Sequence, residues 1–141
     1  MTYEEKKHWL MRYRELAEDI EDLKMEYRHM QSMAKAQAEE LSGEEWAEEN
    51  LKKSKERLLE KEREISHYRQ QLAKTGDEIE AVIDQLPDAQ QRTVLRGTYL
   101  VEGGTQESAG ESLHYDKRWA YRKHKAAMAA LEIPEKKSRE V

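Results

Sequence analysis

The residues YDKRWAYRKHKAAMAAL, Tyr115 to Leu131, carry five Lys and Arg against one Asp in a chain whose formal net charge is −5. Projected as a helix at about 100° per residue, Ala120, His124, Ala127, Met128 and Leu131 fall on one side and Arg118, Arg122 and Lys125 on the other. Spacings of four and three stack those cations in a row, with Lys117 and Tyr121 flanking it and Trp119 on the opposite flank. Such a row suits a polyanion. Arginine can give two hydrogen bonds to a guanine edge in the major groove, while lysine and tyrosine reach phosphate oxygens. The plainer alternative is a solvated basic face.

A second spacing points to metal chemistry. Glu26-Tyr27-Arg28-His29 and Glu64-Ile65-Ser66-His67 are both Glu-x-x-His, which ligates di-iron centres when two further helices each add an inward Glu. In a hairpin turning near Ser42 the two glutamates miss level by six residues, about 9 Å at helical rise, and the positions between them are apolar seam residues. A solvated surface is the better reading, with no metal site. Gly103-Gly104 lacks the Gly-Lys-Ser/Thr of a phosphate loop, and no nucleophile, base and acid recur in a recognisable motif. No catalytic residue and no cofactor are expected.

The elements that position the basic row follow from periodicity. Trp9, Tyr13, Leu16, Ile20, Leu23, Tyr27, Met30 and Ala34 alternate spacings of four and three, an a/d heptad seam. Leu41-Ser42-Gly43 interrupts it, and Ser42 with Glu45 makes a capping box for a new helix. Leu51, Leu58, Ile65, Leu72, Ile79 and Leu86 then recur every seven residues with weaker companions, a thinner seam. The spacing predicts an antiparallel helical hairpin from 3 to about 41 and 44 to about 86, with Gly76 a soft spot. Pro87 ends it; Asp88 caps a helix to about Val101, Thr105 a short one to Leu113, and Asp116 the last to about Leu131. The fold class is therefore all-α: residues 1–86 a coiled-coil hairpin, 87–134 a helix-turn-helix module, and 135–141 a flexible tail. Gly110 is the small residue that lets the module's two helices close, with Leu113 their core anchor.

Composition agrees with thin helices. Hydrophobic residues make up 37% and charged residues 39%, with two prolines and no Phe or Cys. No disulfide framework is possible, and no apolar run reaches the roughly 18 residues of a membrane span, so a cytoplasmic protein without membrane contact is expected. Charge is uneven, −7 over residues 1–86 and +2 over 87–141, which points to one interacting end and one solubilising end.

The stretch LPDAQQRTVLRGTYLVEGGTQESAGESLHYDKRWAYRKHKAAMAAL resembles region 4 of bacterial sigma factors. More narrowly it resembles the phage and prophage late transcriptional regulators of the ArpU and RinA kinds, over about residues 79 to 131. The matching motifs are Leu86 to Asp88, Gln91-Arg92, Thr98-Tyr99-Leu100, Gly103-Gly104, Thr105, Ala109-Gly110, Tyr115, and Lys117 onward with Arg122 and His124. The departures are Val101 as an inserted residue, His114 for a turn glycine, Lys123 for an aliphatic, and the small Ala109 and Ala120. The resemblance implies a helix-turn-helix that binds double-stranded DNA in a bacterial host cytoplasm. Lys117, Arg118, Tyr121, Arg122 and Lys125 would be its DNA-binding residues, and the coiled coil would serve a homodimer or contact with bacterial RNA polymerase. Two alternatives stay open: an RNA polymerase-binding adaptor without specific DNA grip, and a terminase-type subunit that recognises a phage packaging site.

Overall fold

The first helix is capped from outside its own hydrophobic pattern. Thr2 Oγ1 accepts from the Glu5 amide at 3.1 Å, and the Thr2 amide donates back to Glu5 Oε1 at 3.1 Å, a reciprocal box that satisfies two donors the helix itself cannot. The computed structural model describes residues 1–40 and 47–134, and these form five helices. They are α1 (Tyr3–Glu40), α2 (Ala47–Ile83), α3 (Ala89–Tyr99), α4 (Gln106–Glu111) and α5 (Lys117–Ala130). The described chain is all-α. The break expected at Leu41 to Gly43, the Ser42–Glu45 capping box and the tail at 135–141 lie outside the described residues. No described helix is long and apolar enough to cross a membrane.

The chain divides into two compact units, Leu16–Leu72 and a larger one made of Met1–Glu15 with the chain from Ala73 onward. In Leu16–Leu72 the seam is narrow. Ile20 and Ile65 are buried, while Leu16, Leu23, Tyr27, Met30, Leu51, Leu58 and Tyr68 are half-buried. Polar bonds border it: Tyr27 Oη donates to Glu62, Lys61 Nζ pairs with Glu26 at 2.9 Å, and Ser54 Oγ donates to Gln37 at 3.3 Å. From the Glu26–Lys61 pair to the Gln37–Ser54 pair the partner on α2 falls from 61 to 54. Lys61 Nζ also reaches Glu64 at 3.3 Å, so Glu26 and Glu64 lie close to level and share one lysine. The expected offset of six residues is thereby corrected, since one lysine side chain spans the two glutamates.

The larger unit has a broad core. Leu10 of α1, Ile79, Val82 and Ile83 of α2, Leu86 beyond it, Leu95 and Tyr99 of α3, and Ala127, Met128 and Leu131 at the end of α5 are buried together. Gly76 stays inside α2, where a Cβ would lie 3.0 Å from the Tyr13 ring, so its bareness lets that aromatic ring lie against the helix. After α2 the chain turns at Leu86, whose carbonyl accepts from Arg92. Asp88 then caps α3, accepting from the Gln90 and Gln91 amides at 2.8 and 3.2 Å. Arg96 ties α3 back to Glu80 of α2 at 2.6 Å and to Asp84 just past its end.

Candidate nucleic-acid interface

The exposed face of α5 is held up by close contacts among α3, α4 and α5. Thr105 caps α4, its hydroxyl accepting from the Ser108 amide at 3.0 Å while the Thr105 amide donates to Ser108 Oγ at 2.9 Å. The loop before it turns at Gly103, with φ at +69°, where a side chain would be strained. Between helices the spacing is set by missing atoms. A Cβ on Gly97 would sit 2.8 Å from the Ala109 Cβ, and one on Gly110 would sit 2.7 Å from the Ala120 Cβ. α3 meets α4 at the first pair and α4 meets α5 at the second.

The turn into α5 is short and closed. Leu113 and Tyr115 amides both donate to the Gly110 carbonyl at 3.0 Å, and the His114 amide donates to Glu111 O at 2.9 Å. His114 carries the left-handed conformation, φ +63°, that such a reversal requires and that an L-residue adopts at some cost. Asp116 then caps α5 by accepting from the Trp119 amide at 2.9 Å.

Beyond that cap, Ala120, His124, Ala127, Met128 and Leu131 are buried, and Lys117, Arg118, Tyr121, Arg122 and Lys125 are all exposed. The first four of these five line one shallow recess, and none of the four cations makes an ion pair with a described residue. The fifth cation of α5 behaves differently. Lys123 Nζ turns away from the row to Asp88 Oδ2 at 3.1 Å, so one carboxylate caps α3 through Oδ1 and holds α5 through Oδ2. The Lys123 hydrogen bond, followed by that of the Gln91 amide, holds the Asp88 carboxyl below its ordinary range. Trp119 stacks on Tyr115 with ring centroids 4.0 Å apart and planes 14° from parallel, so it lines a flank of the row without entering it.

Behind the row lies one buried histidine. The His124 ring nitrogen Nε2 is 2.7 Å from Tyr99 Oη. Burial, and then the Lys7 ammonium, push the imidazole down to about 4, while burial raises the Tyr99 phenol. At neutral pH a neutral imidazole and a neutral phenol therefore share this hydrogen bond. α1 takes part here: the Tyr3 ring meets His124 edge-on at 6.2 Å, Lys6 Nζ donates to Met128 O at 2.8 Å, and Arg14 donates to Gly104 O at 2.9 Å. The heptad seam does not signal these contacts; Leu10 and Met11, which stand off it, pack in the same core.

The Glu-x-x-His pairs stay on the surface, with His29 and His67 exposed, and no group of three His, Asp or Glu among the described residues could hold a metal ion. The surface on α5 is thus an unpaired cationic row on a firmly buried helix, suited to electrostatic and hydrogen-bonding contact with a polyanion. No protein-family model matches the chain, and no curated protein or solved structure matches it.

Proposed function

We propose that the chain is a DNA-binding transcriptional regulator of the phage and prophage late-gene kind, with α4, the turn at His114 and α5 acting as a sigma region 4-like helix-turn-helix. The observation that carries the reading is the outward row of Arg118, Arg122 and Lys125, unpaired and exposed on a helix whose opposite face is wholly buried. Arg118 and Arg122, in the first half of α5, are assigned base contacts; Lys117, Tyr121 and Lys125 are assigned phosphate contacts. Double-stranded DNA in a bacterial cytoplasm is the partner. The helices α1 and α2 form an antiparallel coiled-coil hairpin that serves self-association, most simply a homodimer, or contact with RNA polymerase. The exposed Met25, Met33 and Leu59 support that role.

The test is to sequence the DNA recovered with the protein and titrate that site at two salt concentrations. Arg122→Ala is expected to lose about 1–3 kcal/mol of discrimination and to relax specificity. Lys125→Ala is expected to weaken all sequences alike and to lower the salt slope by about one. A folded variant with Arg118, Arg122 and Lys125 all changed to Ala that binds as tightly as the parent would leave the row a solvated surface, and the polymerase-adaptor function would take its place.

A further inference from the structure

The first turns of α1 pack against the buried side of α5, although more than a hundred residues separate them in sequence. Lys6 reaches the Met128 carbonyl, and the Tyr3 ring abuts His124. His124 and Met128 are one turn apart on α5, so α1 follows α5 along one side. That side adjoins Lys117 and Tyr121, because both project within a quarter-turn of Met128, whereas Trp119 and Lys123 project across the helix. Consistently, burial comes first, then Glu4, then the Tyr121 hydroxyl, in holding the Tyr3 phenol above its ordinary value. Tyr3 keeps 42% of its surface and Tyr121 keeps 57%, so two exposed tyrosines border the cationic row.

Lys7 stands one turn along α1 from Tyr3, on the same side. It is exposed, makes no ion pair with a described residue, and is near enough to His124 to oppose its protonation. Lys6 is occupied by a carbonyl, so Lys7 is the available cation on these turns.

A major groove of about 12 Å admits one helix of about 10–12 Å diameter. If α5 occupies the groove, a helix packed along its flank cannot enter and must meet the groove's rim, which is sugar and phosphate. We infer that the first two turns of α1 are a second wall of the DNA-binding surface, with Lys7 pairing with a backbone phosphate and the Tyr3 hydroxyl donating to the same strand. The contact is sequence-blind and fixes how deeply and at what angle α5 sits. This rests on the DNA-binding function proposed above.

The experiment uses the full chain with Lys7→Gln, Lys7→Arg and Tyr3→Phe, titrated on the recovered site and on a scrambled duplex at several salt concentrations. A pH near 8 keeps His124 neutral in every variant. Lys7→Gln is expected to weaken both duplexes several-fold and to lower the slope of log K against log salt by about 0.9, one phosphate's worth, with the ratio between duplexes unchanged. Lys7→Arg restores the slope. Tyr3→Phe, which keeps the ring against His124, weakens both duplexes modestly with no change of slope. Thermal melts matching the parent separate these losses from unfolding. If Lys7→Gln keeps the parent's affinity and slope while the Arg118, Arg122 and Lys125 variant loses binding, α1 does not touch DNA and the inference is overturned alone. If the row variant also binds like the parent, the DNA-binding function itself fails.

Discussion

Leu16–Leu72 and the larger unit are built from the same two long helices, yet they bury side chains in different ways. Of the sixteen buried hydrophobic residues among those described, only Ile20 and Ile65 lie in Leu16–Leu72. There, the other seam residues, Leu16, Leu23, Tyr27, Met30, Leu51, Leu58 and Tyr68, stay half open. In the larger unit, residues from α1, α2, α3 and α5 converge, and Leu10, Ile79, Ile83 and Leu95 are fully buried. A two-helix seam needs only a repeat of apolar residues, tolerant of their shape. A core shared by four helices depends on individual atoms, which makes the larger unit the one that single substitutions disable and suits it to holding α5 still.

The largest expected difference between the two regions is in core truncation. Leu10→Ala removes a side chain with no exposed surface and should destabilise the protein by about 2–5 kcal/mol. Leu23→Ala, at a half-buried position of the narrow seam, should cost less than half as much. Chemical denaturation of both variants measures this, and equal losses would mean that the two regions do not differ as their burial implies.

Acid should distinguish the regions next. His124 is neutral in the fold because its ordinary value near 6.5 is depressed to about 4. Its contribution is complete above pH 6.5 and is lost as pH falls from 6.5 toward 4, since in that window the unfolded chain binds a proton that the folded chain refuses. From pH 6.5 to 5 this amounts to about 2 kcal/mol. The groups facing His124 are Tyr3 and Lys7 from α1 and Tyr99 from α3, and none of them supplies a compensating negative charge there. Hydrogen exchange at pH 7 and pH 5 should show protection falling in α3 and α5, and His124→Gln should flatten that response. The Asp88 carboxyl, held low by Lys123, acts in the same sense at lower pH, its contribution present above about 4 and lost below.

Much of this arrangement is legible in the sequence where one residue determines one feature. Asp88, Thr105 and Asp116 stand before their helices as side-chain acceptors, and each caps as its position suggests. The inward face of α5 follows from its period alone. What could not be read depends on residues distant in sequence. Lys123 looks like another surface cation until Asp88, 35 residues away, is placed beside it. The level of Glu26 against Glu64 is likewise set by the pairing of two helices and not by either repeat alone. The Thr2–Glu5 box has the Thr-x-x-Glu spacing of a capping box but lies outside the heptad seam that begins at Trp9.

The smallest change that should still separate the regions is one methyl group. Glycine inside a helix is disfavoured against alanine by about 1 kcal/mol, so Gly110→Ala would stabilise α4 if space allowed. Here the added Cβ would lie 2.7 Å from the Ala120 Cβ, too close for two carbons, and neither partner is the far end of a flexible chain that could move aside. The overpacking cost of about 1–3 kcal/mol therefore outweighs the propensity gain, and α4 and α5 must separate by several tenths of an ångström. The net loss of stability should be about 1 kcal/mol. Ala120→Gly removes the opposing methyl, so the double variant Gly110→Ala with Ala120→Gly should recover part of that loss, giving a coupling energy of about 0.5–2 kcal/mol. A double-variant cycle that came out additive would mean that the two helices do not meet at these residues. With the contact confirmed, DNA titration of Gly110→Ala asks whether the tilt of α5 matters: weaker specific binding with an unaltered salt slope would show the same cations presented at the wrong angle.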